Sequence, residues 1–308
     1  MTPDDRRSLA ELAADYAGQR IPFAHATVVR AAQPTSAHPG DHALVTADGR
    51  MDGFAGGQCA AESVRLAAVD AITEGHGVLL RILPGDAEPY PEAPGARVAV
   101  NPCLSGGALE IFIEPVLPPP VVHVVGDTPI ARGVVDQGRL LGFDIAQVGG
   151  DELEGADRDG FGGAVAAIVA THGGDESGMI RRALDSGVPF VGLVASRKRG
   201  AAVLDAMGLT TAERERVHTP VGLDIGARTP AEIALSVFAE LVAAVRRDGL
   251  AGSGAAARRE IDPICGMTIL VADDTPEHVD DTGRHWFCCT GCRDTFIARS
   301  AGGLQAAR

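Results

Sequence analysis

Lysine is nearly missing from this chain: among 27 basic residues only Lys198 is a lysine, in the run Ser196-Arg197-Lys198-Arg199. A phosphate-cradling P-loop needs lysine directly behind its last loop glycine, so that motif is excluded, and a Schiff-base mechanism would have only Lys198 to use. Positive charge as a whole is scarce. With 41 acidic residues the formal net charge is −14, and nucleic acid, which is held mainly through clustered Lys and Arg, is not an expected partner. No stretch approaches the roughly 18 uninterrupted apolar residues of a bilayer-crossing helix, so no membrane span is expected. The opening MTPDDRRS has no basic segment leading into an apolar run, which makes the cytoplasm the expected compartment and keeps thiols reduced. Aromatic residues are 4% of the chain, with Trp286 the single tryptophan. Cysteine is rare and unevenly placed: Cys59 and Cys103 early, then Cys265, Cys288, Cys289 and Cys292 close together near the end.

What is present suits more than one domain, since 308 residues with 45% hydrophobic content exceed the usual size of one. Helical spacing over 4–19 precedes two strand-like runs, FAHATVVRA and HALVTADG, the second ending in an Asp48-Gly49 turn. A helix is predicted behind Cys59, stopping at Gly75, followed by strands GVLLRIL and LEIFIEPV. This first α/β domain spans about 1–116. The prolines of PVLPPP, 115–120, stiffen the chain and mark a boundary. From 121 to 247 strand-like and helical runs alternate, which predicts a Rossmann-like, doubly wound parallel sheet. Its last helix carries a capping box, Thr229 with Glu232, and a buried stripe of Ile233, Val237, Leu241 and Val245. Residues 248–258 read as a flexible Gly/Ala/Ser linker. The remaining segment, 259–300, is too short for a large core and is expected to be a small Cys-rich module that needs a staple.

That module holds the strongest chemical signal. Cys288 and Cys292 in HWFCCTGC are spaced C-x3-C, and Cys265 in DPICGM can close on the same soft metal, zinc or copper. Met267, His278, His285 and Cys289 are candidates for a fourth donor. A purely structural zinc staple and a metal-sensing or metal-delivering centre both fit this pattern. The first turn of the sheet domain, Gly126-Asp127-Thr128-Pro129-Ile130-Ala131, sits where a dinucleotide-binding G-x-G-x-x-G/A would lie. Thr128 replaces the middle glycine that admits a pyrophosphate, so NAD(P) binding and a repurposed pocket stand as alternatives.

Cys59 in GFAGGQCAAES lies at the start of a helix, where the dipole favours thiolate, and Gly56 and Gly57 leave room beside it. Cys103 in NPCLSGGALE has Gly106 and Gly107 just behind it. The two cysteines are the candidate catalytic thiols of one pocket, or else two small buried hydrophobes. His172 follows a strand at the carboxyl edge of the sheet, where open α/β folds bind ligands, and is otherwise an ordinary loop residue. SRKRG, 196–200, and Asp224 with Arg228 in GLDIGARTP are candidate ligand contacts or merely solvated charges and caps.

VTADGRMDGFAGGQCAAES, CLSGGALEIFIEPV, THGGDESGMIRRAL, FVGLVASRKR and PVGLDIGARTPAEIALSVFAELVAAVRR together resemble, in order, the XdhC/CoxI family, over about residues 20–247. The resemblance implies an accessory factor for xanthine dehydrogenase or carbon monoxide dehydrogenase. Such a factor holds the molybdenum cofactor (molybdopterin), has it sulfurated by a desulfurase partner, and inserts it into the apo molybdenum hydroxylase. On this likeness Cys59 and Cys103 fall at the family's cofactor-associated cysteines, and Gly56, Gly57, Gly106, Gly107, Gly126, His172 and Asp224 join them as cofactor-binding candidates. Arg50, Arg197, Lys198 and Arg199 are candidate phosphate contacts. DPICGM and FCCTGCRDTF resemble a YHS domain, which would assign Cys265, Cys288 and Cys292 to a metal and leaves Cys289 as a departure. Thr128 departs from the Gly-Ala-Gly that the family shows at the Rossmann turn. A carbon monoxide dehydrogenase centre carries copper beside molybdenum, so the appended module can be read as sensing or handing over copper. The competing expectations are a nucleotide-dependent oxidoreductase and a metal sensor or metallochaperone. A homo-oligomer is compatible with the sequence, since most soluble oligomers are homo-oligomers, but no residue pattern in it points to one.

Overall fold

A computed structural model describes residues 8–84, 95–101, 107–148, 160–247, 258–272 and 274–303. The chain divides into two compact units, one made of Met1–Pro118 with Gly254–Arg308 and the other of Pro119–Ser253, so the first break falls inside PVLPPP.

In the first unit, helix α1 (Leu9–Gly18) starts at a capping box formed by Ser8 and Glu11. Strands β1 (Phe23–Ala32), β2 (His42–Thr46), β3 (Met51–Gly53), β4 (Val78–Pro84), β5 (Ala96–Asn101) and β6 (Ala108–Val116) form one sheet in the order β3-β2-β1-β6-β4-β5. Every neighbouring pair is antiparallel except β4 with β5. Alternation along β1 sends Ala24, Ala26 and Val28 to one face, where helix α2 (Gln58–Glu74) lays down Ala60, Val64, Ala67, Ala68 and Ala71. Phe23 and Leu44 point the other way and meet Tyr16 of α1. Small residues on α2 bring helix and sheet close. Gly75 ends α2 in the left-handed conformation, φ 71°, which glycine adopts without a Cβ penalty. β5 was not anticipated: ARVAVN is short, and its Arg97 interrupts the apolar run.

The Cys-rich segment belongs to the same compact unit. It consists of two hairpins, β12 (Arg259–Ile261) with β13 (Thr268–Leu270) and β14 (Glu277–Asp280) with β15 (Gly283–Trp286), followed by helix α8 (Thr290–Gly303). Its small core joins Ile269, Leu270 and Phe287, all fully buried, with Phe287 and Phe296 rings 5.3 Å apart. Arg258 covers Trp286 at 4.0 Å. Leu270 fills the space that glycine leaves at position 49, where a Cβ would collide with its side chain. Arg65 on α2 bridges Glu62 at 2.8 Å and Asp274 of the module at 2.7 Å. One turn further along α2, Asp70 takes both Arg97 and Arg259.

The second unit is a parallel sheet ordered β11-β10-β9-β7-β8, built from β7 (Val121–Val125), β8 (Asp144–Val148), β9 (Ala164–Val169), β10 (Phe190–Leu193) and β11 (Val217–His218). Helices α3 (Pro129–Leu140) and α7 (Pro230–Arg247) cover one face with Val134, Val237, Phe238 and Leu241. Helices α4 (Glu176–Asp185) and α5 (Arg197–Met207) cover the other with Ile180, Leu184 and Leu204. Short α6 (Thr211–Glu215) leads into β11. The doubly wound architecture is therefore present, and the α7 capping box forms, with Glu232 accepting from the Arg228 and Thr229 amides at 2.8 and 2.9 Å. SRKRG is the first turn of α5, capped by Ser196. At the far edge His218 Nδ1 lies 2.7 Å from Glu240 Oε1. That bond holds the Glu240 carboxyl below its usual range despite burial.

Burial raises the Glu62 carboxyl, and the Arg65 guanidinium counters only part of that rise. Arg65→Ala strands the carboxylate and should cost roughly 3 kcal/mol. A raised folded-state value means that proton uptake favours the folded chain, so stability tied to this group is present at low pH and lost as pH rises. The deficit of Arg65→Ala against wild type is therefore expected to be smaller near pH 5 than near pH 8, as read by thermal melts at both. Equal deficits would assign the loss to something other than Glu62.

Candidate functional site

Asp262 opens the turn Asp262-Pro263-Ile264-Cys265, and its fully buried side chain ties down both cysteine-bearing loops. Oδ1 accepts the amides of Ile264 and Cys265 at 2.8 and 3.3 Å, and Oδ2 accepts that of Cys288 at 2.8 Å. Cys265 Sγ and Cys292 Sγ each stand 3.6 Å from Cys288 Sγ. One ligand atom from each of Asp262, Cys265, Cys288 and Cys292 lies within 4.8 Å of all the others. A tetrahedral ion with 2.3 Å bonds to sulfur places its sulfurs about 3.8 Å apart, so the three thiols have the spacing of a soft or borderline metal site. The predicted ligands Cys265, Cys288 and Cys292 are thus brought together.

Of the candidates for a fourth donor, neither histidine nor Cys289 joins this group among the described residues. His285 Nε2 is 2.8 Å from Thr282 Oγ1 and 3.3 Å from Asp280 Oδ1. His278 faces Phe296. Burial pushes the Cys288 thiol far above its usual range, and burial likewise pushes Cys292 up to about 12. Burial also works to raise Asp262, but the amide bonds from Cys288, Ile264 and Cys265 outweigh it and hold the carboxyl below its usual value. A metal binding here would have to displace the protons of Cys288 and Cys292 against the rise that burial gives those two thiols. Asp262 was not singled out from the sequence. Its signal was there, since Asp before Pro in a short turn offers its carboxylate to the amides that follow.

Around Cys59 the glycines differ in role. Gly57 is the N-cap of α2, makes no side-chain cap, and has open space where a Cβ would be. Gly56 is buried with φ 126°, and its missing Cβ makes room for Ala60 and Leu109 rather than for a ligand. Gly107 is pressed against the Pro34 carbonyl. Cys59 is the second residue of α2, while Cys103 and Gly106 lie outside the described residues.

In the sheet domain, a Cβ on Gly126 would stand 2.6 Å from the Ala170 carbonyl. Thr128 caps α3, accepting from the Ala131 amide at 3.1 Å and donating to the Ala170 carbonyl at 2.8 Å. Its hydroxyl is thus engaged with backbone groups where the dinucleotide-binding pattern has a glycine. His172 is exposed beyond β9. Asp224 forms an exposed pair with Arg197 at 3.6 Å, of small energetic weight. Arg199 instead reaches Glu176, a buried carboxylate that also accepts from Thr171 at 3.0 Å, so it staples α5 to α4.

Residues 17–82 match the XdhC and CoxI family, and residues 122–241 match the XdhC Rossmann domain. Both matches end upstream of the Cys-rich segment. The chain is 29% identical over 258 residues to YqeB of Escherichia coli (strain K12), a protein described as uncharacterized, with 75% of this chain aligned to 45% of that one. The chain thus spans under half the length of this relative. A crystal structure described as a xanthine dehydrogenase from Bacillus halodurans aligns at 16% identity and a TM-score of 0.38, covering 78% of this chain and 96% of the other.

Two outcomes follow from this geometry. A Cys288→Ser/Cys292→Ser chain, purified alongside wild type, is expected to lose its bound zinc or copper and to melt at lower temperature, because one remaining thiol cannot hold the ion. Metal content equal to wild type by elemental analysis would place the ion elsewhere. Thr128→Ala should cost about 1–2 kcal/mol by removing the α3 cap and the bond to Ala170, with no loss in denaturant midpoint as the contrary result.

Proposed function

We propose that this chain is a maturation chaperone for a molybdenum hydroxylase, of the xanthine or carbon monoxide dehydrogenase type. It receives the molybdenum cofactor, presents it to a sulfur-donating desulfurase, and delivers it to the apo-enzyme. The observation that carries this reading is Cys59 in the first turn of α2 behind Gly57, within the region matched to the XdhC and CoxI family. The match to the XdhC Rossmann domain downstream supports it.

The donor set fits the cofactor's chemistry. The α2 N-terminus carries no side-chain cap and no acidic residue in its first turn, so its free amides and dipole suit an anionic group. Gly57 leaves the approach open. Bound there, the molybdenum centre supplies the site for sulfur exchange. For its own part the chain holds the anionic end at the α2 terminus, in whose first turn Cys59 stands. Cys103 is proposed as the second cofactor-associated thiol.

Molybdenum and pterin content measured on anaerobically purified wild type and Cys59→Ser tests the assignment. Molybdenum with matching pterin in wild type, lost at least tenfold in the variant, is expected, on the scale of removing a metal-associated group. Equal content in both proteins would leave Cys59 as packing. A second reading, a metal sensor or metallochaperone acting through the YHS-like module, is favoured by the Asp262, Cys265, Cys288 and Cys292 cluster. Point variants separate the two better than deletion of 259–308, because Leu270, Asp274 and Arg259 of that segment contact the β2–β3 turn and α2.

A further inference from the structure

A metal site that serves only as a staple is closed by four protein donors, whereas a site that exchanges ligands keeps a position open. The Cys-rich module offers three thiols and one carboxylate, so its class depends on what Asp262 does. That carboxylate already accepts three amide bonds. Oδ1 holds two amides and Oδ2 holds a third, and each carboxylate oxygen has about two acceptor positions. The three bonds join the loop bearing Cys265 to the loop bearing Cys288, and it is this joining that sets the 3.6 Å spacing of their sulfurs. Oδ2 keeps one acceptor position, and drawing it into the coordination sphere would set the metal in competition with the buried Cys288 amide that this oxygen holds at 2.8 Å. Among the described residues no histidine and no fourth cysteine substitutes. His285 is engaged with Asp280 and Thr282, and neither His278 nor Cys289 joins the cluster among the described residues.

The cluster also has an outward side, because Cys265 and Cys292 are half-buried while Cys288 is buried. We propose that the module binds its metal through the thiolates of Cys265, Cys288 and Cys292 alone, with Asp262 as a positioning residue, and that the fourth coordination position takes an external soft donor, a thiolate or hydrosulfide. Three thiolates select a soft or borderline ion, and such an ion prefers sulfur as its next ligand. The step is ligand exchange without redox change: the incoming thiol gives its proton to solvent and its sulfur lone pair to the metal, and a bound water leaves. This makes the module a site of exchange rather than a staple. It deepens the metal reading of the chain and is independent of the molybdenum reading, since neither its donors nor its test involves Cys59.

The test uses the full chain loaded anaerobically with Co(II) or Zn(II). With Zn(II), X-ray absorption is expected to count three sulfurs and one light atom, becoming four sulfurs when 2-mercaptoethanol is added. With Co(II), the visible ligand-field bands should shift saturably over the same addition. Asp262→Asn keeps the Oδ1 acceptor and should retain the three-sulfur count and the thiol-induced shift, while binding metal about 10- to 100-fold more weakly, the usual effect of losing an outer-shell partner. Four sulfurs in the untreated protein would overturn the proposal and assign the fourth position to Cys289 or Met267. Bands that do not respond to thiol in wild type would overturn it too, as would loss of the light atom on Asp262→Asn. The wild-type thiol response decides the matter even if the variant fails to fold.

Discussion

Arg65 is the side chain on which the first unit's organisation turns. It emerges from α2 into a nearly closed space, takes the buried Glu62 on its own helix, and reaches Asp274 in the Cys-rich module. A buried carboxylate without a cation is strongly disfavoured, so the helix, the guanidinium and the module loop form one arrangement. Leu270 against Gly49 and Arg259 against Asp70 extend the same contact. The consequence is that the short Cys-rich segment, more than 180 residues away in sequence from α2, is part of the unit that carries Cys59 rather than a free appendage.

Within that unit the division of labour follows from glycine and aspartate placement. Glycines at 49, 56 and 107 have no side chain because neighbouring chain occupies the space. Gly57 alone of the two before Cys59 faces outward, at a helix end with uncapped amides. In the module one carboxylate supplies what a larger core would otherwise supply: three amide bonds that fix where the thiols stand. A small domain with few apolar residues needs such fixed points.

The sheet domain shows a scaffold whose customary ligand position has been given to internal bonding. Gly126 and Thr128 both close on Ala170, and Arg199 is drawn to Glu176. The residues that suggested nucleotide or phosphate contacts are thereby largely occupied in holding β7, β9, α4 and α5 together.

Much of this was legible in the sequence. Alternating strand and helix periods, the Gly75 stop and the Thr229–Glu232 box are local, and local backbone preference and capping were enough to give α2, α7 and the parallel sheet. The C-x3-C spacing and DPICGM marked three of the cluster's four members. β5 and α5 were hidden because Arg97 and the Arg197–Arg199 run break the apolar pattern, their charges being neutralised by Asp70, Glu74 and Glu176, which sequence order does not reveal. The same holds for Asp262, whose role depends on an amide 26 residues away. Sequence determined the elements and the chemical types available. Only the tertiary structure decided which groups meet, because burial and pairing depend on distances between segments remote along the chain.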